Sequence, residues 1–340
     1  MTADPSPPAA PSGSDVLAAA DPALSARVQA GLAEVEARLR DVVVSAHPLL
    51  SSSAAHLAEA GGKRVRPLLA LLAAHLGDPA APGVVDAAVV VELTHLATLY
   101  HDDVMDEARV RRGAASANVR WTNTVAILTG DYLFARASDL TAGLGTEATR
   151  IQSRTFARLV EGQIAETAGP AEGEDPVAHH LAVVADKTGS LLATSGRLGA
   201  MAAGAGPEAV EAVARYGELF GAAFQLSDDL IDILSDSDQS GKTPGTDLRE
   251  GVPTLPVLLV LADDDPGSAR LRELLSGELS DDERLAEALG LLRAHPAMDR
   301  ARERLAASVA EARAAALALP DGPVPRTLLA LADFVLARTG

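Results

Sequence analysis

At 340 residues, with 48% hydrophobic but only 3% aromatic content, the chain can bury a sizeable core that aliphatic side chains must fill. Its 47 acidic against 29 basic residues leave a net charge of −18, which excludes a nucleic-acid binder and disfavours permanent attachment to anionic lipid. With no cysteine, disulfides, thiolate metal sites and cysteine nucleophiles are excluded too, as suits a cytoplasmic protein.

Met1 to Asp21 is rich in Pro, Ala and Ser, lacks the basic-then-apolar order of a signal peptide, and reads as a disordered tail. Residues 22–340 read as one helical domain. Apolar residues at three- and four-residue spacing predict helices near 24–50, 65–77, 83–108, 118–141, 146–168, 176–203, 207–236 and 297–318. Breaks fall at Gly77-Asp78-Pro79, Gly169-Pro170, Gly204 to Pro207, Gly241 to Gly251 and Pro320 to Pro325. Strand-type alternation is nearly absent, and no apolar run approaches the roughly 18 residues of a membrane span. The expected fold is all-α, a single large helical bundle. Val84 to Leu99 is apolar on more than one face, which predicts a helix wholly inside the bundle, where metal sites can be built from facing side chains.

Within this frame the polar residues cluster. Gly61-Gly62-Lys63-Arg64-Val65-Arg66-Pro67 is a glycine-led basic turn, a candidate anion pocket without the spacing of a Walker loop. His95 lies seven residues before Asp102, two turns away on the same helix face; alone it reads as a core histidine, beside anion sites as a phosphate ligand. His101-Asp102-Asp103-Val104-Met105-Asp106 and Ser227-Asp228-Asp229-Leu230-Ile231-Asp232 each put two aspartates four apart, on one helix face. One such motif reads better as a solvated acidic face. Two, each behind an apolar stretch, suggest facing carboxylates for Mg²⁺, which takes hard oxygen ligands together with substrate phosphates. Arg111 and Arg112 follow the first motif; they suit a diphosphate by bidentate contact, or simply a helix C-terminus. The chain has only three lysines, Lys63, Lys187 and Lys242, all beside Gly or Thr, where a compact point charge differs from an arginine fork.

This combination resembles the trans-isoprenyl diphosphate synthase (polyprenyl synthetase) family over roughly residues 40 to 260. Both aspartate motifs, GGKRVRP, the Arg-Arg-Gly after the first motif, Lys187-Thr188 and the FQLSDDLID context stand in the family's order. The resemblance implies an all-helical fold around a deep central cavity, usually a homodimer, that joins isopentenyl diphosphate to an allylic prenyl diphosphate. It implies Mg²⁺, three ions with substrate bound, held by Asp102, Asp106 and Asp228, with Asp232 closing the second motif. Arg111, helped by Lys187 and Lys242, resembles the holder of the allylic diphosphate. Lys63, Arg66, His95 and Arg112 resemble the isopentenyl diphosphate pocket, and Thr188 and Gln225 match oxygens beside the forming carbocation. Two positions depart from the pattern. Val252 stands where many relatives have lysine, leaving Lys242, with Arg249 as a possible helper. Glu166 stands where some short-chain relatives have aspartate.

The resemblance also places Thr94, Ala97 and Thr98, before the first motif, along the product cavity. Small residues there imply a long product, about C35 to C50 as in a quinone side chain, and Ala97→Phe is expected to shorten it. Tyr100 should point elsewhere on the helix. A shorter geranylgeranyl or farnesyl product, a class I terpene cyclase and a non-catalytic subunit of a heteromeric synthase are the alternatives. A long product implies transient membrane contact at release.

Overall fold

The computed structural model describes residues 13–235, 244–263 and 265–339. In chain order its elements are α1 (Gly13–Ala20), α2 (Pro22–Val42), α3 (Pro48–Glu59), α4 (Val65–Ala74), α5 (Val84–Met105), β1 (Val110–Arg111), β2 (Ala114–Ala115), α6 (Ala117–Arg120), α7 (Asn123–Gly143) and α8 (Thr146–Ala168). There follow α9 (Pro176–Val184), a π-helical turn (Ala185–Gly189), α10 (Ser190–Ala202), α11 (Pro207–Leu234), α12 (Thr246–Glu250), α13 (Leu255–Leu261), a 3₁₀ turn (Pro266–Ser268), α14 (Ala269–Leu275), α15 (Asp282–Arg293), α16 (Ala297–Leu317) and α17 (Pro323–Ala337). Apart from the β1–β2 hairpin, the regular structure of the described residues is helical, as the periodicity predicts.

Local chemistry explains several helix starts. Asp21, Thr122, Asp175 and Asp281 each accept a backbone N–H from the first turn of the helix they precede, and Pro22, Pro48 and Pro176 open helices where no N–H is needed. Pro48 also splits the predicted 24–50 run into α2 and α3. The segment read as tail through Asp21 is helical from Gly13: Leu17 is wholly buried and α1 packs on α17, so an alanine-rich stretch finds its stability in a distant partner. Helices α13, α14, α15 and α17 were not anticipated: α13 and α14 are seven residues each, Gly290 interrupts α15, and α17 opens on Pro323 and Pro325.

α5 is enclosed by α2, α4, α7 and α10, and apolar residues from Val84 to Tyr100 are buried on every side of it. By length and composition it could cross a membrane, contrary to the expectation that no segment qualifies; 67% of its apolar window is buried inside the bundle. It is the central core helix.

Close packing depends on glycine at helix crossings. A Cβ on Gly199 of α10 would stand 2.0 Å from the Ala70 carbonyl oxygen of α4, a backbone atom that cannot yield. Gly199→Ala should therefore cost about 2 kcal/mol or more, as overpacking does. Gly290→Ala, in α15 with nothing within 4 Å, should be neutral or stabilise by up to ~1 kcal/mol. Chemical denaturation of both variants checks the pair.

Candidate active site

α5 carries the first acidic motif to the mouth of the bundle. Asp102 is half-buried, and Asp106 is the exposed C-cap residue, its N–H donating to the Asp102 carbonyl at 2.8 Å. Burial pushes the Asp102 carboxyl up to about 6; Lys187 opposes this and the Asp106 charge reinforces it. Asp106 is raised too, again chiefly by burial. Asp103 is wholly buried and accepts from Arg111 Nε at 2.6 Å, which leaves the Arg111 Nη2 3.8 Å from Asp106. The middle aspartate thus aims an arginine at the metal-suited pair, a role that helix-face reasoning missed.

Arg111 and Arg112 sit in the β1–β2 hairpin. Its loop, Arg112–Gly113, has φ of 53° and 77°, the positive pair of a type I′ turn, which follows the right-handed strand twist. The turn swings Arg112 back onto the basic segment, where it donates to the carbonyls of Leu57 at 3.1 Å and of Gly61, and lies 3.6 Å from the buried Glu92. Arg66 is pushed down to about 10, by burial above all, and its Nε is buried with no hydrogen-bond partner. His95 is driven well below its ordinary value by burial and then by Arg66 and Arg112, so the imidazole is neutral. An enclosed, unmatched guanidinium donor beside a neutral histidine fits an anion. Arg64 does not belong to this pocket: it adopts φ of 47° and ties Glu36, Glu92 (2.6 Å) and the Ala58 carbonyl (2.7 Å) together.

α11 carries the second motif. Asp228 pairs with Arg338 at 2.9 Å, and Arg338 also stacks on Phe224, 4.4 Å from the ring centroid. Lys63 lies over the same ring at 5.3 Å. Nothing in the sequence pattern announced Arg338, which arrives from the chain's far end just after α17. Asp232, expected to close the metal motif, accepts the N–H groups of Thr246 (3.2 Å) and Asp247 (3.1 Å) at the start of α12. A carboxylate at a helix N-terminus is favoured by the same unsatisfied donors that anions seek. Lys242 lies outside the described residues. Arg249, its possible helper, pairs with Asp282 at 2.6 Å, and Val252 is partly exposed.

Lys187 and Thr188 occupy the π turn between α9 and α10, a widened turn often found at functional sites. Glycines seat it: a Cβ on Gly162 would meet Asp186 Cβ at 2.9 Å, and one on Gly221 would meet Gly189 Cα at 2.8 Å. Arg158 fixes it further, donating to Asp186 (2.8 Å) and Glu218 (3.0 Å). Lys187 Nζ pairs with Glu166. Thr188 Oγ1 donates to Gln225 Oε1 at 3.3 Å, and Gln225 Nε2 donates to Asp229 at 3.0 Å.

These elements surround a cavity of about 500 Å³. Arg66, His95, Asp102, Lys187, Thr188 and Gln225 line its polar part; Val104, Phe134, Phe156, Leu159, Val160 and Leu191 supply apolar wall. Asp106, Arg111, Arg112, Asp228, Asp232 and Lys63 are not among its lining residues. Of the product-length positions, Thr98 lines the cavity, whereas Ala97 and Thr94 are fully buried. Tyr100 points away, as expected, bonding to the Ser53 carbonyl and the Leu57 N–H of α3. Phe134 and Phe156, 4.2 Å between centroids, are wall residues the sequence did not single out.

Among the described residues, no group of three or more acidic or histidine side chains could hold an ion unaided. Asp102 and Asp106 nevertheless fit a hard cation that keeps positions for phosphate oxygens: two adjacent carboxylates, both raised by burial.

A helical bundle with two aspartate motifs and arginine–lysine groups over an apolar cavity defines an isoprenoid synthase. The chain belongs to the polyprenyl synthetase family, whose model matches residues 47–292, and is accordingly a prenyltransferase acting on prenyl diphosphates with a divalent metal. It is 53% identical over 321 residues, 94% of this chain and 96% of the relative, to a nonaprenyl diphosphate synthase of Mycobacterium tuberculosis. A geranylgeranyl pyrophosphate synthase from Corynebacterium glutamicum, solved with calcium and isoprenyl diphosphate, superposes with TM-score 0.85 at 47% identity, covering 94% of this chain and 98% of that one. A decaprenyl diphosphate synthase from Rhodobacter capsulatus does so with TM-score 0.84 at 36% identity, covering 96% and 99%.

Because a metal must displace the proton from Asp102, affinity for a divalent cation should be full above about pH 7 and weaken as pH falls through about 6. Calorimetric titration across that range checks this. Asp102→Asn should lower the affinity and flatten its pH dependence.

Proposed function

We propose that this protein is a cytoplasmic, Mg²⁺-dependent trans-polyprenyl diphosphate synthase that joins isopentenyl diphosphate head-to-tail to an allylic primer, ending at about C35 to C50. The observation that carries the reading is the division of the cavity into a charged mouth and an apolar shaft. Mg²⁺, held by Asp102, Asp106 and Asp228, would neutralise charge on the departing diphosphate. Arg111, aimed by Asp103, and Lys187 act on the same oxygens. Arg66, His95 and Arg112 hold isopentenyl diphosphate, with Lys63 as a further cation; the family resemblance alone assigns Lys242 to the allylic diphosphate beside Arg111. Thr188 and Gln225 offer neutral oxygens to the allylic cation, and the apolar wall keeps out water that would quench it. The proton lost after carbon–carbon bond formation goes to the departing diphosphate, so no protein nucleophile is needed.

The nonaprenyl and decaprenyl synthases among its relatives support the long product, as does Thr98 on the cavity wall in place of an aromatic residue. A C20 product is the second reading, favoured by the Phe134–Phe156 pair in the same wall. We also propose a homodimer through α7 and α8. Ile127, Leu128, Phe156 and Val160 expose apolar surface there, and three of the four line the open side of the cavity, which a second copy would cover. Release of so apolar a product calls for transient membrane contact.

With Mg²⁺, isopentenyl diphosphate and C5 to C20 primers, mass spectrometry should show a ladder ending near C35 to C50. Asp102→Asn should lower kcat about 10²-fold or more, and Thr98→Phe should shorten the ladder. Consumption of primer with no added isoprene unit would point to a cyclase instead. Leu128→Glu should turn the dimer into a monomer in light scattering.

A further inference from the structure

Asp229, one residue after Asp228, is only 4% exposed and takes no part in the proposed metal set. Its Oδ1 accepts from Gln225 Nε2 at 3.0 Å, one turn back on α11. A carboxylate only accepts, so it decides which end of the Gln225 amide it draws. The nitrogen goes to Asp229, and Oε1 is left for Thr188 Oγ1, 3.3 Å away on the cavity wall. A flipped amide would turn its N–H groups, the positive end of the dipole, toward that wall and repel a cation there. The amide is held only as firmly as the carboxylate that orients it.

The second partner of that carboxylate comes from α9. His180 Nε2 lies 3.7 Å from Asp229 Oδ2. Both atoms are buried, and neither has a hydrogen-bond partner. The gap suits an electrostatic contact but exceeds hydrogen-bond length by about 0.5 to 1 Å. Two enclosed orphans that face each other are costly to leave apart. Hydrogen bonds that serve a reaction are often long before substrate binds and shorten in the complex. The rest of α9 is fixed around this contact. His179 is anchored by the Ala165 carbonyl of α8 at 3.1 Å and by Glu174 at 3.3 Å. The helix then continues without a break into the π turn, so His180, Lys187 and Thr188 ride on one backbone.

We infer that His180 is a positioning residue for prenyl transfer: its Nε2–H closes onto Asp229 in the substrate complex, and the chain His180–Asp229–Gln225–Thr188 locks the Gln225 oxygen toward the allylic cation. The inference rests on the proposed place of Gln225 and Thr188 beside that cation. His180 does not line the cavity, so it acts through Asp229. The middle aspartates of the two motifs then have parallel tasks, Asp103 aiming Arg111 and Asp229 aiming Gln225.

His180→Phe keeps a ring of similar size but no donor. With Mg²⁺, isopentenyl diphosphate and a C15 primer, it should lower kcat about tenfold and move KM for either substrate by less than about twofold. His180→Gln, whose amide nitrogen can donate in place of Nε2, should restore most of the rate. In a Gln225→Leu background, His180→Phe should cost nothing further, because no amide remains to be oriented. A residue that merely packs would slow both backgrounds alike and gain nothing from Gln. Nitrogen-15 NMR of the imidazoles gives a readout on the wild-type protein, with the His180 signal identified by its absence in His180→Gln. His180 should carry hydrogen on Nε2, and that proton should move downfield when Mg²⁺ and inorganic pyrophosphate are added. An unchanged kcat in His180→Phe, equal losses in both backgrounds, or an Nε2 that is bare or unmoved by the added ions overturns the inference, while the prenyl transfer reading stands. Wild-type protein that elongates no primer removes that reading, and this inference with it. If His180→Phe fails to fold, the imidazole spectrum decides.

Discussion

Everything at the mouth of this bundle follows from carrying carboxylates on helices that are otherwise enclosed by apolar neighbours. α5 is buried along most of its length, yet it bears Glu92, Asp102 and Asp103, with Asp106 at its exposed C-cap. A buried charge is tolerable only when paired, so the enclosed carboxylates recruit or await a cation. Glu92 holds Arg64 and neighbours Arg112, Asp103 holds Arg111, and the Asp102–Asp106 pair is left with a raised affinity for protons. A divalent cation relieves the same strain more effectively than a proton does.

The cations are positioned before any substrate arrives. Arg111 is held by Asp103, Lys187 by Glu166 and Arg338 by Asp228. In each pair the carboxylate fixes a flexible basic side chain near the mouth, so less conformational freedom is lost when a diphosphate binds. Arg66 is the exception, with its Nε enclosed and unmatched, and it marks where an anion gains most. The π turn performs the corresponding task on the backbone. Wedged against Gly162 and Gly221 and tied down by Arg158, it presents both Lys187 and Thr188 to one cavity.

Much of this was legible in the sequence. Three- and four-residue apolar spacing located α4, α5, α7, α8, α10, α11 and α16, and the two-sided apolarity of Val84 to Leu99 correctly placed α5 at the centre. Asp102, His95, Arg66, Lys187, Thr188 and Gln225, chosen from motif context, do line one cavity. What escaped was of another kind. Helices α13 and α14 are seven residues each and Gly290 interrupts α15, so their stability comes from neighbours and not from periodicity. Leu17 turned an apparent tail into structure by docking on α17.

The sequence by itself determined the helices and the pairing of residues four apart on each helix face, because those depend only on local geometry. It thereby also determined that acidic and basic groups would gather at helix ends. Tertiary structure alone decided what each group does. Asp103 and Asp232 look equivalent to their neighbours in the motifs, yet one holds Arg111 and the other caps α12. Arg338 reaches Asp228 from 110 residues away, and Phe134 meets Phe156 across two antiparallel helices. Such choices depend on where helices cross and how closely glycine lets them approach, and no periodicity within a single helix encodes that.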